Sequence, residues 1–350
     1  MEIFTRPCPE SWSTYFRPFA EAIYLPTLPL HIHQVIGSAI FYQAVYLYIS
    51  PIITKIFLPR IYNSFPKRTQ VNWDVHVVSF IQSVFICALA LWVMVHPERA
   101  PGYGSDREAA LFRVFGYTVT GGAIQGYAVG YFIWDLFICI YHFKIMGLGF
   151  VAHAISALAV YSWGFRTFVN YYAPIFILFE LSSPFLNIHW FCDKLGLTGG
   201  RLQLVNGICL ITTFFCCRLI WGVYSSVMVF IDIFSIYANP PGAGNLTAQD
   251  LLAEEALADK SVEVHPFAGK SVPLWLAFIY LSSNLTLNGL NFYWFSRMIQ
   301  TITSRFTTPQ EKDRKHMSQK VTVEGTEVDI GETTASAIRE GKALKKRLGH

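Results

Sequence analysis

Long apolar runs alternate with short polar segments along most of the chain. Runs extend near His31 to Ser50, Val75 to Val95, Phe115 to Tyr141, Gly147 to Trp163, Phe168 to Trp190, Gln203 to Ile231 and Ser271 to Ile299. A helix needs about 20 mainly apolar residues to cross the hydrocarbon slab of a bilayer, and most of these runs reach that length. Barrel strands would alternate apolar and polar positions, which these runs do not do. The pattern therefore predicts an all-α polytopic membrane protein with about seven transmembrane helices. The third run is the least regular. Its first half carries Gly116, Gly121, Gly122, Gly126 and Gly130, which permit either close helix packing or a re-entrant turn.

The segments outside the runs divide the chain. Residues 1–30 mix Arg6, Glu10, Arg17 and Glu21 with prolines and lack a continuous apolar core, so they predict a lumenal or interfacial segment rather than a cleavable signal. Residues 31–305 form the transmembrane domain, interrupted by an acidic loop at 239–270. That loop opens on Pro240-Pro241-Gly242 and then reads as a short helix, with Thr247 as N-cap and Leu251, Leu252, Ala256 and Leu257 on its apolar side. Residues 306–350 lack aromatic residues from Thr307 onward and mix charges of both signs, the composition of a disordered cytosolic tail.

Composition and charge narrow the class. With 53% hydrophobic and only 14% charged residues, most soluble classes are excluded, and a net charge of +4 gathered at the chain ends offers no nucleic-acid surface. Lys55, Arg60, Lys67, Arg68, Lys144, Lys194, Arg201 and the basic tail share one side if the N-terminus is lumenal and the C-terminus cytosolic. The sequon Asn245-Leu246-Thr247 then falls in a lumenal loop. The seven cysteines form no C-x-x-C pair and read as inert thiols, so neither a metal nor a cofactor is expected.

Ionisable groups at membrane depth carry the chemistry, because each costs several kcal/mol unless it finds a partner. Asp135, His153, Glu180 and Arg218 stand out. Glu180 and Arg218 lie at comparable depths on antiparallel helices, so they can pair, either to lock the two helices or to serve a lipid site. Ser183 and Asn187 follow Glu180 by three and seven residues on the same helix face, and Asn206 on the next helix could meet Asn187. Asp135 shares a face with His142, and His153 with Ser156. His153 reads either as a histidine satisfied by one neighbour or as a catalytic base. His76 and Gln82 read as ordinary helix contacts.

Three local patterns resemble the TLC-domain family, the membrane fold of ceramide synthases and of other lipid-related proteins. They are Trp73-x-x-His76-x-x-Ser79-x-x-Gln82, Gly130-Tyr131-Phe132-x-x-Asp135, and the stretch Glu180-Leu181-Ser182-Ser183-Pro184-Phe185-Leu186-Asn187-x-His189-Trp190. The resemblance spans about Asn72 to Ile299. It implies a helical barrel around an intramembrane cavity, a lipid-handling role and residence in the endoplasmic reticulum. Departures place the chain outside the ceramide synthases. His76 stands where many relatives have Arg, Gln82 where they have His, His153-Ala154 where they have His-His, and His189 where they often have Arg.

Two functions follow. One is binding or sensing of a membrane lipid in a cavity formed by Asp135, His153, Glu180, Ser183, Asn187 and Arg218, contributing to lipid homeostasis. The other is an acyltransferase with acyl-CoA as co-substrate, in which His153 accepts the proton of the attacking amine or carries the acyl group itself, and Asp135 orients or charge-stabilises its imidazole. A receptor and a transporter are minor alternatives, since receptor motifs and an internal repeat are both missing.

Overall fold

Helix boundaries fall where capping chemistry places them. In the computed structural model, which describes residues 2–238, 273–306, 320–323 and 326–329, Thr118 caps one helix by accepting the Gly121 amide at 3.0 Å, and Asp106 caps another through the Ala109 amide at 2.8 Å. Gly147, at φ 87°, makes a left-handed turn that residues with a Cβ rarely adopt, and it separates two spans.

Among the described residues the longer helices, numbered in chain order, are α1 (Glu10–Ala22), α2 (Leu28–Phe57), α3 (Lys67–Met94), α4 (Arg107–Phe115), α5 (Val119–Tyr141), α6 (Leu148–Arg166), α7 (Asn170–Lys194), α8 (Arg201–Ala238) and α9 (Leu274–Phe306). Six of them, α2, α3, α5, α6, α7 and α8, are long and apolar enough to cross a membrane. α9 occupies the seventh predicted run. Its 33 residues reach about 50 Å at 1.5 Å per residue. The buried Asn284 and Asn291, with Asn288 beside them, make it less apolar than the others. Its buried residues repeat every seven positions, with Ala277, Asn284, Asn291 and Met298 in one row and Tyr280, Leu287 and Trp294 in the other, which is the pattern of a helix packed on neighbours along one seam.

Contacts close six helices into a ring in the order α3, α5, α6, α9, α8, α7 and back to α3. α2 packs outside this ring, chiefly on α5, and is the least buried of the spans, whereas α5 is the most buried. The glycines of the third run explain the α2–α5 seam. Gly122, Gly126 and Gly130 recur every four residues, and a Cβ added to them would meet His31, Gln34 and the Val35 carbonyl of α2 respectively. α5 is thus a continuous helix that uses its glycines for close approach, without a re-entrant turn. Around the outside, Phe41, Ile52, Phe137, Ile140, Leu204 and Phe278 are exposed, an apolar belt suited to acyl chains.

The acidic loop at 239–270, with its sequon and its helix capped by Thr247, lies outside the described residues. Most of the tail does too, but Lys320–Val323 and Thr326–Asp329 form an antiparallel hairpin with Lys320 opposite Asp329. Val321, Thr322, Val323, Thr326 and Val328 are β-branched, which favours extended pairing within a segment whose composition reads as disordered.

Candidate functional site in the ring interior

The polar groups inside the ring come from all six helices. α7 is not one regular helix: a 3-10 turn at Leu178–Ser182 links the short helix Ala173–Ile177 to Ser183–Lys194, with Pro174 and Pro184 in the first turns of the two helical pieces. This tight turn leaves Glu180, Ser182, Ser183 and Asn187 all buried. Opposite it, Phe215–Trp221 of α8 forms a π-helical stretch carrying Arg218. Such wide turns are uncommon and frequently mark functional positions.

Arg218 is 1% exposed and bonds to both neighbouring helices. Its Nε donates to Ser182 Oγ at 3.0 Å, one Nη to Asn291 Oδ1 at 3.0 Å, and the other to Ser183 Oγ at 3.3 Å. Ser183 Oγ in turn donates to a Glu180 oxygen at 2.8 Å. The expected Glu180–Arg218 partnership is therefore relayed through a serine hydroxyl, and Asn291 of α9 joins it. The guanidinium also lies 4.8 Å from the Phe214 ring centre, a cation–π contact.

Next to this network is a cavity of roughly 50 Å³ lined by residues of α3, α5, α6 and α7. Among its lining groups are Asn72, His76 and Ser79 from α3, Asp135 from α5, His153 from α6, and Glu180 and Ser183 from α7. Asn187 binds the cavity wall together: its Oδ1 lies 2.6 Å from His76 Nδ1 and its Nδ2 donates to Ser79 Oγ at 3.1 Å. The His76 ring stacks on Trp190 with centroids 4.2 Å apart, which fixes its orientation. His153 is held by shape instead, edge-on to Trp294 at 5.5 Å and to Phe132 at 6.3 Å. Among the described residues, His153 Nδ1 and Asn72 Oδ1 are buried with no hydrogen-bond partner. A cavity of this size holds a few waters or one small polar end group, not a whole lipid.

Four residues chosen from the sequence, Asp135, His153, Glu180 and Ser183, thus line one cavity, and Asn187 and Arg218 bond to its walls. Other pairings differ. Asn206 does not meet Asn187; its Nδ2 donates to the Phe185 carbonyl at 2.8 Å, because the Asn187 amide is already engaged by α3. His142 sits just past the end of α5, where its Nε2 lies 2.9 Å from Tyr46 Oη and burial, aided by Lys67, lowers its pKa. His76 is more than a helix contact, since it contributes a second imidazole to the cavity.

Two further buried charges escaped the sequence reading by one residue each. Asp74 precedes the predicted second span and Asp232 follows the predicted sixth, yet α3 and α8 extend far enough to enclose both. Asp74 accepts from Ser50 Oγ at 2.6 Å and Tyr62 Oη at 2.7 Å. Asp232 takes a bidentate pair from Arg113, at 2.6 and 2.7 Å, and a third bond from Tyr172 Oη at 2.5 Å. Hydrogen bonding to Asp232 raises the Arg113 pKa above its ordinary value, so the guanidinium stays charged.

A ring of membrane-crossing helices around a shared polar interior defines an integral membrane protein whose buried chemistry lies at bilayer depth. A family model described as the TLC domain matches residues 72–300, an interval that takes in the ring except for the first residues of α3 and the last of α9, and the chain belongs to this family. It is 36% identical to an uncharacterized TLC domain-containing protein of Schizosaccharomyces pombe over 85% of this chain and 87% of that one. Topoisomerase I damage affected protein 4 of Saccharomyces cerevisiae is 26% identical over 81% of this chain and 90% of its own length. Human TLC domain-containing protein 4 is 26% identical over 51% of this chain and 65% of its own. These relatives lie outside the ceramide-synthase branch.

Proposed function

We propose that the protein handles a membrane lipid by binding its polar end in the cavity of the ring, and that it contributes in this way to lipid homeostasis. The observation that carries the reading is the convergence of buried polar groups from several helices on one cavity, with His153 Nδ1 and Asn72 Oδ1 left unpartnered there. An unpartnered group in a low-dielectric interior gains most from a ligand or water that completes its bonding. The acyl chains would remain among the helices or in the bilayer, since the cavity admits only an end group. The proposal places the protein in the endoplasmic reticulum with a lumenal N-terminus and a cytosolic C-terminus.

Native mass spectrometry of the purified chain tests this reading. Wild type is expected to retain a lipid above the detergent background, and Asn187→Leu, which removes the bonds to His76 and Ser79, to retain at least several-fold less. A wild-type protein that carries no lipid under these conditions overturns the proposal.

One observation favours an acyltransferase as the second reading: His76 and His153 line the same cavity together with Asp135 and Glu180. In that chemistry an amine nitrogen attacks the thioester carbonyl of acyl-CoA, a C–N bond forms and the C–S bond breaks. One histidine takes the amine proton and returns it to the departing thiolate, so that the enzyme ends unchanged. Membranes containing the protein should then form amide product from acyl-CoA and a lipid amine, and His153→Ala should abolish it. Equal product from that variant excludes this reading.

A further inference from the structure

A second concavity lies away from the ring interior, between α8 and the segment that leads into α4. Its volume is about 660 Å³, against about 50 Å³ for the interior cavity, and falls within the range typical of small-molecule sites. One wall is a face of α8 on which Trp221, Tyr224, Met228 and Ile231 recur at helical spacing. Tyr224 and Ile231 are 58% and 54% exposed on a membrane-crossing helix, so the groove opens sideways toward acyl chains rather than toward water. Its inner wall at the mouth end is the Arg113–Asp232–Tyr172 cluster, in which opposite charges already cancel. The mouth is formed by Ser105, Asp106 and Arg107, all exposed.

Depth along the groove can be read from α8. Arg113 donates to the Gly102 and Gly104 carbonyls while it holds Asp232, so the mouth lies at the level of Asp232. Trp221 is then about 16 Å deeper at 1.5 Å per residue, long enough for an acyl chain laid against aromatic and aliphatic side chains. This neutral inner wall gives no preference for net charge, whereas at the mouth the Asp106 carboxylate, one oxygen of which caps α4, and the adjacent Arg107 guanidinium match a headgroup with charges of both signs. A purely anionic headgroup would meet Arg107 but also Asp106 and the neighbouring Glu108.

We infer that this groove is a second lipid site, which takes one acyl chain of a zwitterionic phospholipid along α8 and its headgroup at Asp106 and Arg107. The site is independent of the ring interior and of the function proposed for it.

Full-length protein reconstituted with photoactivatable phosphatidylcholine, and separately with photoactivatable phosphatidylglycerol, provides the test, with labelled peptides mapped by mass spectrometry. Phosphatidylcholine is expected to label the 221–235 stretch of α8 above the lipid-facing α2 positions. Met228→Trp, which fills the groove, should reduce that label at least tenfold, and Tyr224→Ala, which removes an exposed wall without touching the core, should reduce it several-fold. Arg107→Glu should lower it as well, while Ile208→Trp, on the exposed belt of α8, should leave it unchanged. Even labelling of α2 and α8, or label insensitive to both Met228→Trp and Tyr224→Ala, would show ordinary surrounding lipid and overturn the inference. Stronger labelling by phosphatidylglycerol would overturn the headgroup assignment.

Discussion

Gln82 illustrates how much a single buried side chain can withhold from stability. It is 1% exposed, and among the described residues neither its carbonyl oxygen nor its amide nitrogen has a hydrogen-bond partner. Each unpartnered polar atom in such a place costs about 1–3 kcal/mol, and a flip of the amide cannot relieve it because both ends are orphaned. Gln82→Leu is therefore expected to stabilise the detergent-solubilised protein by about 1–3 kcal/mol, seen as a higher midpoint in thermal unfolding. A lower midpoint would mean that the amide has a partner in the membrane. The ionisable residues at depth were largely legible in the sequence, since Asp135, His153, Glu180 and Arg218 each interrupt an apolar run. Asp74 and Asp232 were not, because each lies at the margin of a run already long enough to cross a bilayer, whereas a helix continues as long as its backbone bonds do. His76 could have been ranked higher from its place in a polar stripe with Asn72 and Ser79, three positions that only the fold shows to face one cavity.

At the level of elements, the contrast between the α2–α5 seam and the rest of the bundle is governed by side-chain size. Gly130 sits where a Cβ would meet Ser38 Oγ and the Val35 backbone carbonyl, and a carbonyl on a rigid helix cannot swing aside. Gly130→Ala is expected to cost about 1–3 kcal/mol through this overlap. Gly149, at the start of α6, has nothing within 4 Å of the place a Cβ would take, so Gly149→Ala should be neutral or slightly stabilising. Denaturant titration of the two variants side by side checks the contrast, and equal losses would show that the seam is looser than the structure has it. The sequence announced the glycines but left two outcomes open, close packing or a re-entrant turn, because the deciding partners His31, Gln34 and Val35 lie some 90 residues earlier, as His31 and Tyr117, 86 residues apart, illustrate. The kinds of element were legible from apolar run length alone. The interruptions within α7 and α8 were not, since neither Pro174 and Pro184 nor the 215–221 stretch breaks the hydropathy of its span.

Across the whole molecule, the Arg113–Asp232 pair fastens one end of the ring by tying α4 to α8 over 119 residues of sequence. Removing one partner leaves the other charged and buried, so Asp232→Asn should destabilise the protein by about 3–5 kcal/mol. The double variant Arg113→Met with Asp232→Leu should recover part of that loss, which a double-mutant cycle in thermal unfolding would measure; a double variant no better than the single would locate the energy in the Gly102 and Gly104 contacts instead. The overall topology, a membrane bundle of about seven spans, was evident from the sequence, whereas the order of helices around the ring depends on contacts between distant segments that no local pattern encodes. That closed order has a kinetic consequence. A space with room for only a few waters, walled by α3, α5, α6 and α7 within the ring of packed helices, exchanges its contents no faster than two of those helices part, and collective helix motions of that kind run from microseconds to milliseconds. Whatever polar end group the interior holds, its turnover is timed by the breathing of the wall rather than by diffusion of lipid in the surrounding leaflet.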